Sequence, residues 1–520
     1  MNSLENAIKI EPSPHPRYSR LVMIGIILCF VFLSTGSGTI TQEKIWDPTY
    51  TAIEVPKMSE RLQTEILALD DSKKTINVWI YFRDKGIRSQ AMLKRGYEDV
   101  RKGFRSHCLW RRGKVRNAPM LVDEHDLPVQ ATYTEKLIPM VNRVRIVSRW
   151  LNAMSVEATA AQIQELEQVE YIRKLDLVVS FKRIEMSSSL SMAEEQSIQK
   201  NSSLDYGPSF TQLDQINVLP LHASGYSGQD VMVCMLDTGF RKSHEVFRHS
   251  RVIAEWDFVN ADGDVEQDME EAEDFTDSHG TGTWSVLGGY RPGELIGPAF
   301  NADIILGKTE TTRFEQPIEE DFWVAAIEWA ERLGAEVVSS SLGYTDWYTF
   351  TDLDGKTAVT TTAANRAVSL GVVVVNAAGN ERDDLWGHII APADGFDVIA
   401  VGAVDRIGRL ASFSSPGPTA DGRIKPDVCA LGVNDWVAGN SQDGTDVYLN
   451  GSGTSFATPL VAGVAALLLE AHRDWTPAQV REALTKSADR SFSPNNDYGW
   501  GIINAHLAAI GKKGKKGPIR

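Results

Sequence analysis

Between about residues 205 and 510 the chain repeats one pattern: a short, almost wholly apolar run, then a longer amphipathic stretch. The runs lie at 231–236, 304–306, 337–338, 372–375 and 398–401. Consecutive apolar side chains suit a parallel strand that is covered on both faces. Between them, 318–333 places Ile318, Phe322, Ala326, Trp329 and Leu333 on one helical face and stops at Gly334, where a helix-ending glycine belongs. Residues 357–370 behave likewise and stop at Gly371. Thr476-Pro477-Ala478-Gln479 reads as a capping box with proline at the first helical position. Alternating strands and helices predict an α/β fold with a doubly wound, mostly parallel sheet. In such a sheet the site lies outside the carboxyl ends of the strands.

Upstream the pattern changes. Lys9, Arg17 and Arg20 precede an apolar run at 21–33, and Ser34, Thr35, Gly36, Ser37 and Gly38 follow it. A positive stretch, a short apolar core and small residues compose a secretory signal, assigned to residues 1–38. The run extends for about 13 residues where a membrane span takes about 20, so secretion is expected over a retained anchor. Residues 39–183 form a separate block. Within it 76–82 and 150–156 read as strands, about 88–105 and 158–168 as helices, and 171–181 as extended chain, which predicts a small α+β unit. Residues 184–204 are rich in Ser, Glu and Gln and read as an exposed linker suited to cleavage. The main block is taken as 205–511. Lys512, Lys513, Lys515 and Lys516 mark 512–520 as a basic tail.

The net charge of −16 lacks the basic bias that nucleic-acid binding requires and mainly favours solubility. Of four cysteines, Cys29 lies in the N-terminal apolar run and Cys108 in 39–183. Cys234 and Cys429 each lie in or beside an apolar stretch, so buried free thiols are expected there rather than a disulfide.

Amide hydrolysis needs a nucleophile, a base for its proton and donors for the oxyanion. Four motifs stand at strand ends or helix starts, each beside glycine. The run 231–236 leads into Asp237-Thr238-Gly239, and Asp277-Ser278-His279-Gly280-Thr281-Gly282-Thr283 opens a small-residue helical stretch. The run 372–375 feeds Asn376-Ala377-Ala378-Gly379-Asn380, and Gly451-Ser452-Gly453-Thr454-Ser455 precedes an apolar helix at 456–472 with Pro459 in its first turn. Singly, each has a structural reading: Asp237 or Asn380 shaping a turn, a structural His279, Ser455 as an N-cap. Jointly they run Asp, His, Asn, Ser, and Asp…His…Ser is the chain order of the subtilisin triad.

With these motifs the chain resembles the subtilase family. Asp237-Thr238-Gly239, His279-Gly280-Thr281, Ala377-Ala378-Gly379-Asn380-Glu381 and Gly453-Thr454-Ser455-Phe456-Ala457-Thr458-Pro459 carry the likeness. So do Ser339-Ser340-Ser341-Leu342-Gly343, the stretches at 398–404 and 412–415, and Ile424-Lys425-Pro426-Asp427. The resemblance implies a subtilisin-like domain preceded by a ferredoxin-like pro-segment at 39–183, which inhibits its own enzyme until autoprocessing. It makes Ser455 the nucleophile, His279 the general base and Asp237 the residue that orients the imidazole. The Asn380 amide and the Ser455 N–H become oxyanion donors. Ser341, Leu342 and Gly343 become an edge that pairs with extended protein or peptide substrates. No cofactor is required by such chemistry, and a monomer is expected, with no nucleic-acid partner and no membrane contact beyond the signal segment.

Some positions depart from the family pattern. Gly282 stands where many members carry a second histidine, and Leu460 where histidine is frequent. Ile390 falls where a small residue often floors the first specificity pocket, which implies a poor fit for large aromatic side chains. A lipase would need Gly-x-Ser-x-Gly, which the stretch around Ser455 lacks. His244 and His249 are five apart, whereas the zinc helix motif needs four. Asp262, Asp264, Glu266, Asp268, Glu270, Glu271, Glu273 and Asp274 read as a solvated acidic loop, with a structural calcium site as the alternative.

Overall fold

The computed structural model describes residues 56–71, 73–181, 204–266, 278–310, 318–345, 347–440 and 445–511. The signal-type segment, the linker up to residue 203 and the basic tail lie outside the described residues.

In the N-terminal block four strands, β1 (Thr75–Phe82), β2 (Arg143–Ser148), β3 (Ala153–Thr159) and β4 (Ile172–Leu177), stand in the order β2-β3-β1-β4, with every pair antiparallel. Helices lie between β1 and β2 and between β3 and β4. This is the expected ferredoxin-like arrangement. The sequence reading begins the second strand at 150, but the structure begins it at Ala153. Residue Asn152, at φ 50°, ends a tight hairpin from β2, a strand whose half-exposed side chains give little apolar signal.

Strand β1 serves two cores, because successive side chains point to opposite faces. Ile76, Val78, Ile80 and Phe82 pack inside their own block with Met154, Val156 and Ile163. Trp79 and Tyr81 join a core shared with Trp323, Ile327 and Ala363 of the main block.

The main block is built on β5 (Met232–Asp237), β6 (Arg251–Asp257), β7 (Asp303–Lys308), β8 (Val337–Ser340), β9 (Val373–Ala377), β10 (Ile399–Val404) and β11 (Val428–Leu431). Their order is β11-β10-β9-β8-β5-β7-β6, all parallel. Val233, Met235, Ile304, Leu306 and Val375 face one layer; Cys234, Leu236, Ile305, Val338 and Val374 face the other. Helices Ser278–Gly288 and Thr454–Ala471 lie in the first layer, and Glu320–Leu333 and Val359–Ser369 in the second. The two edge strands are absent from the sequence reading: β6 is half-exposed and β11 has only four residues. The chain turns back between β5 and β8, which creates a switch point at the carboxyl edge.

Helix Glu320–Leu333 departs from its expected face. Trp323, Val324, Ile327 and Ala330 enter the core, while Phe322 and Trp329 lie on the flank, under Arg145 and against Phe258. The N-terminal block covers the other side, so Glu320, Asp321, Glu328 and Glu331 are buried too. Donors from that block meet them: Trp79 Nε1 to Glu320 (3.2 Å), Ser155 Oγ to Asp321 (2.6 Å) and Trp150 N to Glu328 (3.3 Å). A helix covered all round by partners of different polarity shows no single apolar stripe.

Cys108, Cys234 and Cys429 are free and buried. Among the described residues one helix is long and apolar enough to cross a membrane, Thr454–Ala471, and it is a packed core helix.

Candidate active site

Asp237 is the last residue of β5 and fully buried. Its Oδ1 accepts from the Thr238 amide (2.8 Å) and lies 2.5 Å from His279 Nδ1; its Oδ2 accepts from Thr283 Oγ1 (2.9 Å). Burial alone would raise this carboxyl. The His279 imidazole, with the Thr238 and Thr283 donors, outweighs burial and holds it below the usual carboxylate range. The site therefore keeps a buried anion against the imidazole.

His279 is in the first turn of helix Ser278–Gly288. The next residue must be glycine for the helix to come this close: a Cβ on Gly280 would lie 2.0 Å from the Gly239 carbonyl oxygen and 3.1 Å from Asp237 Cβ. Thr283 is one helical turn beyond His279, so its hydroxyl returns to the same carboxylate.

Ser455 is not an N-cap. The cap is Gly453, at φ 152°, and Ser455 is the second residue of the helix. Its amide therefore lies in the first turn, where no carbonyl four residues back is available within the helix. The helix is buried from Thr454 to Leu469, lying over β8 to β11 and against the histidine helix; that is why it is apolar all round. Ser455 Oγ donates to the Ser341 carbonyl (3.3 Å), and Ser341 Oγ to the Ser455 carbonyl (2.7 Å). No hydrogen bond joins Ser455 to His279, although the Phe456 ring lies 6.0 Å from the imidazole, centroid to centroid.

Asn380 follows β9. Its Oδ1 accepts from both the amide (2.9 Å) and hydroxyl (3.0 Å) of Thr454, which leaves Nδ2 to donate elsewhere. That nitrogen lies beside Gly453, 3.5 Å from where a Cβ would stand. Ser341, Leu342 and Gly343 follow β8. The Leu342 carbonyl accepts from Asn376 Nδ2 (2.9 Å). Gly343 has no room for a side chain, since a Cβ would meet Ile390 Cδ1 at 2.0 Å. Ile390 also presses on Gly379, so it fills the space between residues 341–343 and the Asn380 loop. Beside Asn380, buried Glu381 accepts from Ser415 Oγ (2.8 Å), and burial pushes its carboxyl up to about 7.

The structure thus gathers every sequence-predicted site residue at the carboxyl edge by the switch point. Sequence reasoning did not single out Thr283 and Thr454. Thr283 was signalled by its four-residue spacing from His279. Thr454 had no signal beyond its place beside the serine, because its partner Asn380 is distant in sequence.

The side chains weighed as metal ligands and set aside, or kept only as an alternative, make other contacts. His244 uses Nδ1 to accept from the Val246 amide (3.2 Å), and its Nε2 faces the Val447 carbonyl (3.2 Å). Of the acidic run, Asp262, Asp264 and Glu266 accept from the amides of Asp264, Glu266 and Lys242; Asp268 to Asp274 lie outside the described residues. Among the described residues no group of three or more metal-type ligands is assembled.

A doubly wound parallel sheet with an Asp–His pair at its carboxyl edge, and a serine in the first turn of a buried helix, defines an α/β serine hydrolase. The sequence model of the subtilase family matches residues 228–501, so the chain belongs to that family and is a subtilisin-like serine endopeptidase. A model of the peptidase S8 propeptide domain of Bacteroidota matches residues 77–199, beyond the expected block end at 183. Subtilisin of Bacillus pumilus is 35% identical over 304 residues, covering 57% of this chain and 97% of that protein. Subtilisin E of Bacillus subtilis (strain 168) is 34% identical over 340 residues, covering 63% and 77%. The crystal structure of fervidolysin from Fervidobacterium pennivorans, a keratinolytic enzyme related to subtilisin, matches with a TM-score of 0.57 at 21% identity. That match covers 86% of this chain and 63% of fervidolysin, and it shows a shared fold alone.

Proposed function

We propose that this enzyme is a secreted endopeptidase, made as a precursor that processes itself, and that it works through Ser455, His279 and Asp237. The 2.5 Å contact between His279 and buried Asp237, beside a serine in the first turn of a buried helix, carries the reading. The Ser455 hydroxyl turns from the Ser341 carbonyl toward His279 and attacks the scissile carbonyl. His279 Nε2 takes its proton and returns it to the leaving amine. A water then gives a proton to His279 and attacks the acyl carbon, and His279 passes that proton to Ser455 Oγ as the ester bond breaks. Asp237 stays ionised, fixing the imidazole tautomer and stabilising the imidazolium. The Ser455 N–H and Asn380 Nδ2 donate to the oxyanion of each tetrahedral intermediate. None of these steps needs a cofactor.

Substrates on this reading are unfolded or loop segments of proteins, laid in extended form along Ser341, Leu342 and Gly343. Ile390, wedged against Gly343 and Gly379, narrows the first pocket against large aromatic side chains. The block 39–183 acts as an intramolecular inhibitor until the linker is cut.

The test is full-length Ser455→Ala, purified beside wild type, with both N-termini sequenced. Wild type should start between about 184 and 206, within the linker that composition marks for cleavage. Ser455→Ala should keep the N-terminal block and hydrolyse no protein substrate. Near wild-type turnover in the variant would overturn the assignment.

A further inference from the structure

Among the ion pairs between the N-terminal block and the peptidase domain, those of one arginine pair are the most deeply buried. Arg111 and Arg112, in the last turn of helix Ser106–Gly113, are fully buried, which arginine almost never is unless paired. Arg111 leaves its own block and enters a recess of the peptidase domain. Its Nε donates to the Leu370 carbonyl (3.2 Å), its Nη1 to the carbonyls of Glu331 (3.1 Å) and Ala335 (2.6 Å), and its Nη2 to the Glu331 carboxylate.

The three carbonyls lie at or just past two helix ends. Glu331 is in the last turn of Glu320–Leu333, Ala335 lies just beyond that helix, and Leu370 is the C-cap of Val359–Ser369. Those of Glu331 and Leu370 stand at two helix C-termini, the negative ends of two dipoles, and that of Ala335 belongs to the turn leaving the first helix. A planar guanidinium presents five donors in a fixed fork and can span them; an ammonium offers its three donors from one point. Arg112 completes the pairing. It binds Asp126 of its own block through both Nη atoms (2.7 and 2.8 Å) and Glu331 through Nε (2.8 Å) and Nη2 (2.9 Å). Burial would raise the Glu331 carboxyl; the two arginines, with Arg149, reverse this and bring it down to about 2.

The place in the fold matters. Both helices end where their chains enter β8 and β9, so the recess lies at the amino edge of the sheet, opposite the catalytic edge. Contacts made there do not depend on what occupies the cleft.

We propose that this recess is a guanidinium-binding site of the peptidase domain, and that Arg111 seated in it is the anchor that retains the pro-segment after the linker is cut. The inference rests on reading 39–183 as an inhibitory pro-segment. The ligand is an arginine side chain carried on a helix, and the recess selects it over lysine by the spread of its acceptors.

The test uses the full chain, allowed to mature, as wild type, Arg111→Lys and Arg111→Ala. Two quantities are read: co-elution of the cut pro-segment with the peptidase domain, and the lag between cutting and the appearance of activity. Arg111→Lys, which keeps the charge but cannot span the spread carbonyls, should be cut at the same bond but lose the pro-segment faster by on the order of a hundredfold, the effect of one or two buried charge-assisted hydrogen bonds left unmade. In Arg111→Ala, millimolar ethylguanidinium should restore the lag and ethylammonium should not. Retention by Arg111→Lys equal to wild type overturns the proposal, as does equal rescue by the two cations or rescue by neither. Failure of Arg111→Lys to yield any cut chain also overturns it, since Arg111 would then be a folding residue. If wild type itself shows no lag and no co-eluting fragment, the inhibitory reading of the pro-segment is what has failed.

Discussion

Gly280→Ala should cripple turnover while leaving the chain folded. A Cβ at this position would stand 2.0 Å from the Gly239 carbonyl oxygen, against the roughly 3.3 Å at which carbon and carbonyl oxygen settle in close contacts. Because the obstacle is backbone, a rotamer change does not relieve it. The first turn of helix Ser278–Gly288 must draw back from the end of β5 by about 1 Å or more. The same movement lengthens the 2.5 Å His279–Asp237 contact to about 3.5 Å, past the useful range of a hydrogen bond. A misplacement of about 1 Å in a catalytic constellation costs on the order of a hundredfold in rate, and overpacking of this kind destabilises by about 1–3 kcal/mol. The assay is kcat and KM on a peptide amide, with Tm measured alongside, using variants matured by a trace of wild-type enzyme. Gly280→Ala should lose kcat about a hundredfold with KM within a few-fold. Gly282→Ala is the control: its Cβ would meet Phe456 Cε1 at 3.2 Å, the Ala438 carbonyl at 3.4 Å and Val437 Cγ2 at 3.7 Å, so near wild-type kcat is expected. Gly280→Ala with kcat close to wild type and an unchanged Tm would refute the reasoning.

Asn380→Ala should lower kcat by on the order of 10²–10³ with little change in KM, the loss known for removal of the oxyanion asparagine of a subtilisin; a raised KM at constant kcat would assign Asn380 to substrate binding instead. Ile390→Ala should open the space beside Gly343 and raise kcat/KM for substrates with phenylalanine at the cleaved position relative to alanine; an unchanged preference would remove Ile390 from the first pocket. Burial holds Glu381 up to about 7, above its ordinary 4.5, so the folded chain keeps a proton that the unfolded chain has lost. Stability therefore falls as pH rises between these two values. Glu381→Gln should show a shallower decline of Tm with pH across that window, and parallel curves would contradict the assignment.

Much of the fold was legible in the chain because its strongest signals are local. Five runs of consecutive apolar residues mark strands covered on both faces, and Gly334 and Gly371, at φ 109° and 93°, end their helices where the sequence places them. What escaped was set by partners distant in sequence. Strands β2 and β6 lie at exposed or half-exposed sheet edges and carry mixed side chains. Helix Glu320–Leu333 buries four carboxylates because the N-terminal block supplies their donors, and no periodicity within the helix announces that. The site was legible through its glycines. Gly280 permits the close approach of helix to strand, and Gly453 permits the backbone turn before Ser455. Thr454 and the Arg111 recess were not, since each is defined by groups far along the chain.

The most direct test of the central claim is a peptide map of the matured enzyme after treatment with a serine-directed organophosphorus inhibitor. The adduct should fall on Ser455 alone, in step with the loss of activity, and His279→Ala enzyme should be labelled far more slowly. Complete inhibition with Ser455 unmodified, or equal labelling of the His279→Ala enzyme, would contradict the account.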